Sequence, residues 1–352
     1  MSTVQDTATA TTAPPGLAER LGMTGGAAAL RLRFVGVVVF QLLLVVVFTA
    51  VAPRFLTWDN AQSILFTAAI LAIAAAGQTL VVLTGNLDLS VGSIMGLSAY
   101  VVFDVASGAP VLQPWVVLLA LLVGVVLGAF NGFLVAVVQI PSIVATLGTL
   151  SIYRGFVSFY ADATEVTSGE LPRWIRTLAT ESWFGLSSYV WLALGIVLVV
   201  GFALRSLPWG RQIYAYGSNP RAAYFYGLGS RRIVIGAYVG AGAIAAVVGL
   251  LLGAQVGNIN SLLASGIELQ VLAAVVIGGV SIWGGSGSVY GAAFGAVVLA
   301  TINNGLVLLG VQEFYRLLFQ GAAIVLAVAV DAMVQRRVQS AGNRRRTLGV
   351  TA

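Results

Sequence analysis

From Phe34 to Ala52 the chain runs without a charged residue, and this is only the first of many such runs. Apolar stretches of about 17 to 25 residues are the length that crosses a bilayer as a helix. Further candidates follow at about Ala61–Thr84, Val91–Ala106, Val111–Val138, Ser142–Tyr160 and Tyr189–Leu204, then Ile233–Gly253, Leu269–Trp283, Tyr290–Gly310 and Tyr315–Met333. A soluble fold of 352 residues needs a charged surface to stay dissolved, yet only 9% of these residues are charged and 59% are hydrophobic. About a quarter would be charged in an ordinary soluble domain. The expected fold is all-α, a polytopic membrane bundle of about ten transmembrane helices, with eight plus re-entrant segments as the other arrangement that fits.

Charge fixes the expected orientation. The stretch Ala161–Ser187 carries Asp162, Glu165, Glu170 and Glu181 against Arg173 and Arg176, whereas Arg205–Arg232 carries five arginines and no acid. Basic loops stay on the cytoplasmic side. With Arg20, Arg31 and Arg33 near one end and Arg336, Arg337, Arg344, Arg345 and Arg346 near the other, both termini are expected to be cytoplasmic. The expected organisation is a disordered polar tail over 1–30, a transmembrane domain over 31–335 that contains a cytoplasmic loop at 205–232, and a basic tail over 336–352. Met1–Ala29 lacks the short apolar core of a signal peptide. The net charge of +6 is all arginine and reads as an orientation signal, not as a nucleic-acid surface.

Absences exclude chemistry. Without Lys the chain has no P-loop, so it is not its own ATPase of that type. Without His or Cys it lacks the usual zinc ligands and the usual imidazole base. No nucleophile–base pair stands out, so neither a catalytic residue nor a metal or cofactor is expected.

Three segments carry polar chemistry. In GQTLVVLTGNLDLSVGS, Gly77–Ser93, Asp88 sits among apolar residues, where an unpaired carboxylate costs about 2.5 to 3.5 kcal/mol. Either Asp88 or Asn86 caps a helix over Leu89–Ala106, or Asp88 serves a polar ligand; both readings stand. In GRQIYAYGSNPRAAYFYGL, Gly210–Leu228, the turn signal Ser218-Asn219-Pro220 suits a short helix over Arg221–Tyr226, capped by Asn219 and started by Pro220. It is either a lever for a soluble partner or a plain connecting loop. In Gly266–Gly295, Glu268 opens an apolar run, and Gly284-Gly285-Ser286-Gly287 reads as close helix contact through small residues, not as a phosphate loop. Asn303 and Asn304 point to different faces of the next span, one to a cavity and one to a neighbouring helix, or both to helices. A weak echo links Val81–Gly85 followed by Val91–Gly96 with Val275–Gly279 followed by Gly287–Gly291; it is either a duplication, as in transporters built from paired broken helices, or a shared bias toward Gly and Val.

Taken with Asn131–Gly155, NGFLVAVVQIPSIVATLGTLSIYRG, these segments resemble the ribose/xylose/galactoside-type permeases of ABC importers from about Phe34 to Asp331. The wording VVIGGVSIWGGSGSVYG leans toward the branch with rhamnose and furanosyl-signal permeases. Asn86 departs from the family pattern, which has a second glycine after LTG. The resemblance implies a bacterial inner-membrane permease that moves a monosaccharide delivered by an extracytoplasmic binding protein. It implies a second permease copy or a paralogue, and a cytoplasmic ATPase that binds the ATP. It also implies that the ATPase docks on a coupling loop holding Gly210, Arg211, Gly217, Asn219, Pro220, Arg221, Ala222 and Gly227. Sugars present hydroxyls and apolar faces, so the expected path residues are Gln78, Asn86, Asp88, Asn131, Asn304 and Trp283. The competing class is an ion-coupled secondary transporter, which usually carries a relay of buried titratable groups. Only Asp88 and Glu268 offer themselves for that role.

Overall fold

The structure is a computed structural model that describes residues 25–107, 115–167, 173–326, 328–329 and 332–333. Among the described residues the regular structure is helical apart from four two-residue strands, so the all-α expectation holds with that small exception. In chain order the helices are α1 (Gly25–Val51), α2 (Trp58–Leu83), α3 (Val91–Ser107), α4 (Trp115–Ala136), α5 (Ser142–Ala161), α6 (Arg173–Thr180) and α7 (Ser188–Ser206). Then follow α8 (Pro208–Ser218), α9 (Pro220–Phe225), α10 (Ser230–Val256), α11 (Ile267–Ile277) and α12 (Val289–Leu308). Residues 313–326 are helical as well. The tail over 336–352 and most of that over 1–30 lie outside the described residues, while 25–30 already belong to α1.

Among the described residues, six helices are long and apolar enough to cross a membrane: α2, α4, α5, α7, α10 and α12. Shorter apolar segments, Val35–Val51, α3 and α11, accompany them. Their outer faces are what lipid solvates. On α4, Leu118, Leu122, Val126, Phe130 and Phe133 are all exposed at helical spacing.

The core forms around α10, which packs on α2, α3 and α4. The α4–α10 crossing is a contact of backbones. A Cβ on Gly124 would overlap the Gly242 carbonyl oxygen, one on Gly242 would overlap that of Gly124, and one on Gly128 would overlap that of Tyr238. Small residues at such crossings let dispersion act over a large area where lipid removes the hydrophobic drive. Helix α1 is peripheral, held by Gln41 Nε2 donating to Thr301 Oγ1 at 3.0 Å and by Phe48 against Gly305.

The strands mark one end of the bundle. β1 (Val166–Thr167) pairs antiparallel with β4 (Asn258–Ile259), Val166 opposite Ile259. The Glu165 carboxylate accepts from the Asn258 and Asn260 amides, which tightens this clasp. β2 (Ser182–Trp183) and β3 (Leu186–Ser187) form a hairpin whose turn, Phe184-Gly185, has φ of 54° and 78°. Positive φ at both central residues is the twist-matched hairpin turn. Helices α8 and α9 lie at the opposite end. The stretch expected to be a hydrophilic loop over 205–232 is therefore mostly helical, with Pro208 at the first turn of α8.

Candidate translocation and coupling sites

Two chain breaks organise the polar chemistry. The first separates α2 from α3 over residues 84–90. Its centre is Asp88, 1% exposed. The Asp88 carboxylate accepts through Oδ1 from the Ser90 backbone N–H at 2.9 Å and from the Ser90 hydroxyl at 2.6 Å. Asn131 on α4 donates to Ser90 Oγ at 2.7 Å, and Tyr153 on α5 donates to Asn131 Oδ1 at 3.1 Å. Gln78 on α2 donates to the Asp88 carbonyl at 3.0 Å, and Tyr238 on α10 donates to the Leu87 carbonyl at 3.0 Å. The break is thus satisfied by side chains from four helices, as buried backbone requires. Asp88 orders the residue just ahead of α3, which begins at Val91, later than the expected Leu89. Gln78 Oε1 and Asp88 Oδ2 are buried without a hydrogen-bond partner.

The structure brings Gln78, Asp88 and Asn131 into one closed network. It holds the other expected path residues apart. Asn86 lies in the wall of a cleft of about 840 Å³, together with Gln139, Ser142, Tyr216, Tyr224, Arg231 and Arg232. Trp283 lies on the second break and is 66% exposed. Asn304 is half-buried on α12 with Oδ1 unpartnered, while its neighbour Asn303 accepts from Arg316 at 3.2 Å and borders a small cavity with Gln270 and Gln320. The two asparagines therefore do point to different surroundings.

The second break, residues 278–288, joins α11 to α12. Glycines at 279, 284, 285 and 287 have φ of 84°, 84°, 68° and 131°. The Gly-rich patch is therefore a loop, where sequence reasoning placed a helix contact. The close approach it implied is real: Gly285 N donates to the Leu83 carbonyl at 2.9 Å, and Gly284 packs on Gly85. The two halves of the sequence echo thus meet in space.

Ahead of α11 the chain turns through 260–266 without forming a helix. Arg154, in the body of α5, donates to the carbonyls of Ser261 at 3.0 Å and Leu263 at 2.8 Å. Glu268, in the first turn of α11, accepts from Gly266 N at 3.3 Å. Sequence reasoning missed Arg154, although an arginine inside an apolar span was a signal. It also missed Tyr153 and Tyr238, whose roles depend on partners far away in the chain.

In the candidate coupling segment, Asn219 caps α9 as expected, its Oδ1 accepting from Ala222 N at 3.0 Å, with Pro220 in the first turn. Gly210 packs on Leu204 at the end of α7, and Arg211 donates to the Ser206 carbonyl at 2.7 Å. Gly217 is buried, Arg221 is exposed, Ala222 supplies the capped N–H, and Gly227 ends the segment at φ 74°. Three consecutive aromatics on and just after α9, Tyr224, Phe225 and Tyr226, are 72%, 86% and 86% exposed. Burial raises the phenol pKa of Tyr214 and Tyr216 on α8.

Comparison with known proteins decides the class. The family model described as branched-chain amino acid transport system / permease component matches residues 60–328. The chain belongs to this permease family. Relatives include the autoinducer 2 import system permease protein LsrC of Photorhabdus laumondii, 37% identical over 78% of this chain and 81% of that one. The protein of the same name from Salmonella typhimurium is 34% identical over 82% and 83%. No solved structure matches. As a member of the permease family the chain is a membrane-embedded importer subunit of the bacterial inner membrane, a transport component without its own ATPase site.

Proposed function

We propose that this permease passes a small, uncharged, hydroxyl-rich solute, a furanosyl signal sugar or a monosaccharide, in an importer driven by a separate ATPase. The observation that carries the reading is the similarity, over more than three quarters of the chain, to permeases named for autoinducer 2 import. The polar groups buried in the apolar core support it: among the described residues all but Asp88 are amides or hydroxyls, which exchange hydrogen bonds with a sugar's hydroxyls without a charge to strand.

The arrangement of helices favours ten crossings. If the arginine-bearing end with α8 and α9 is cytoplasmic, then α1, α3, α5, α10 and α12 run outward. Helices α2, α4, α7, the 260–277 segment and the helix from 313 run inward, and both termini fall inside. Orientation by arginine supports this assignment. The solute arrives from an extracytoplasmic binding protein at the clasp end. A second permease copy or a paralogue completes the path, and the ATPase engages α8 and α9.

The path runs along the outward face of α5. Gly148 and Gly155 have open space beside them, and Ser151 and Ser158 are exposed on the same helix. Non-helical backbone such as 260–266 is tolerated at membrane depth where it is buried in protein or lines a watery cavity. Asn86 and Trp283 border open space at the inner mouth. Gln78, Asp88, Asn131 and Asn304 line the path only in a state in which the helices around the first break have parted.

The test is ATP hydrolysis in proteoliposomes holding the permease with its candidate ATPase and binding protein, with autoinducer 2, ribose and rhamnose as probes. Stimulation by one probe fixes the class and the substrate. An intact complex stimulated by none of them sinks the sugar reading. Uptake that persists without ATP and collapses with an uncoupler transfers the chain to the ion-coupled class.

A further inference from the structure

We infer that the end of α8 is fused to both helix breaks in a single glycine-lined joint, so that one movement of the coupling segment displaces both broken helix pairs together. The inference rests on the ATP-driven reading above and goes beyond it by naming the positioning residues inside the permease.

The joint consists of Gly217 and Ser218 from α8, Leu83 and Gly85 from the first break, and Trp283 to Gly287 from the second. A Cβ on Gly217 would overlap the Leu83 carbonyl oxygen and sit 2.6 Å from Gly285 N. These are the two partners of the hydrogen bond that ties the breaks to each other. A Cβ on Gly284 would sit 2.6 Å from Gly85 N, and one on Gly285 would sit 2.5 Å from Ser218 Cα. Three stretches of main chain therefore meet, with only the short Ser218 side chain at the contact. Around that contact, Tyr214 OH donates to the Gly287 carbonyl at 3.0 Å and Ser218 Oγ approaches the Gly285 carbonyl at 3.4 Å.

Backbone against backbone leaves little freedom for slip, because the short Ser218 side chain is the one rotamer at the contact that could absorb displacement. The positive φ values of Gly85, Gly284 and Gly285 hold both breaks in shapes that other residues rarely adopt. Displacement of α8 is then transmitted to α2 and α3 through Leu83 and Gly85, and to α11 and α12 through residues 283–287. The remainder of α8 is braced separately, by Gly210 on α7 and by Trp209 against Gly236 on α10. Gly217 is thus a positioning residue for coupling and touches no solute.

Two measurements test this. In the assembled complex, Gly217→Ala is read as uptake per ATP hydrolysed, a ratio that does not depend on how much ATPase is bound. Uptake per ATP hydrolysed should fall by about tenfold or more. Gly195→Ala, at a position with open space, should leave that ratio unchanged. An unchanged ratio in Gly217→Ala overturns the joint. Should that variant fail to assemble, spin labels decide the matter in a chain that has no native cysteine. Labels on Arg221→Cys and Trp283→Cys should keep one distance distribution with and without bound nucleotide, and a shift between the two states overturns the inference. Loss of solute stimulation in the unmodified complex counts against the import reading and leaves the label distances standing.

Discussion

Asp88 shows what a carboxylate can do inside an apolar bundle without a cation beside it. Its Oδ1 takes two hydrogen bonds from Ser90, and Ser90 in turn is held by Asn131. Asp88→Asn keeps one acceptor oxygen and the shape, so it should lower thermal stability in detergent less than removal of the acceptor does. Asp88→Ala strands the Ser90 N–H and should cost about 1 to 3 kcal/mol in the same measurement. Equal losses in the two variants would mean that the charge, not the acceptor, is what matters. The sequence made Asp88 conspicuous because its neighbours are apolar. It could not make Ser90, Tyr153 and Tyr238 conspicuous, since hydroxyls are common in spans and their partners here lie up to 151 positions away.

Among the elements, the apolar helices and the capped α9 were legible, whereas α6, α8 and the early end of α11 were not. Length and hydropathy located α2, α4, α7, α10 and α12 to within a few residues of their observed ends. Helix α8 was hidden, because arginine and tyrosine side chains masked its period, although Pro208 was available as a start signal. The α4–α10 crossing is the element contact most sensitive to volume. Gly242→Leu should disrupt it, since overpacking costs about 1 to 3 kcal/mol or more. The yield of folded protein in membranes, compared with Gly195→Leu, reads that loss. At α9, Asn219→Ala removes the cap and should cost about 1 kcal/mol locally. Faster amide exchange over residues 220–226 would report it, together with weaker ATPase binding if the segment docks there.

At the scale of the molecule the two ends differ in kind. One carries the strand clasp and the Phe184 hairpin, the other α8, α9 and an unbroken set of arginines. With no native cysteine, Phe184→Cys and Phe225→Cys report sidedness directly. An impermeant maleimide added to whole spheroplasts should label the first and reach the second only after the membrane is opened. The reverse pattern would invert the assignment. Helix α11 carries a different lesson. It has eleven residues, about half of what spans a bilayer, and the turns before it are fastened by Arg154 of a helix made much earlier. Such a segment cannot partition into lipid by itself as it leaves the ribosome. It must wait for α12 behind it and for an already inserted α5 to receive it, so the last third of this protein is completed in the membrane by folding against its own beginning.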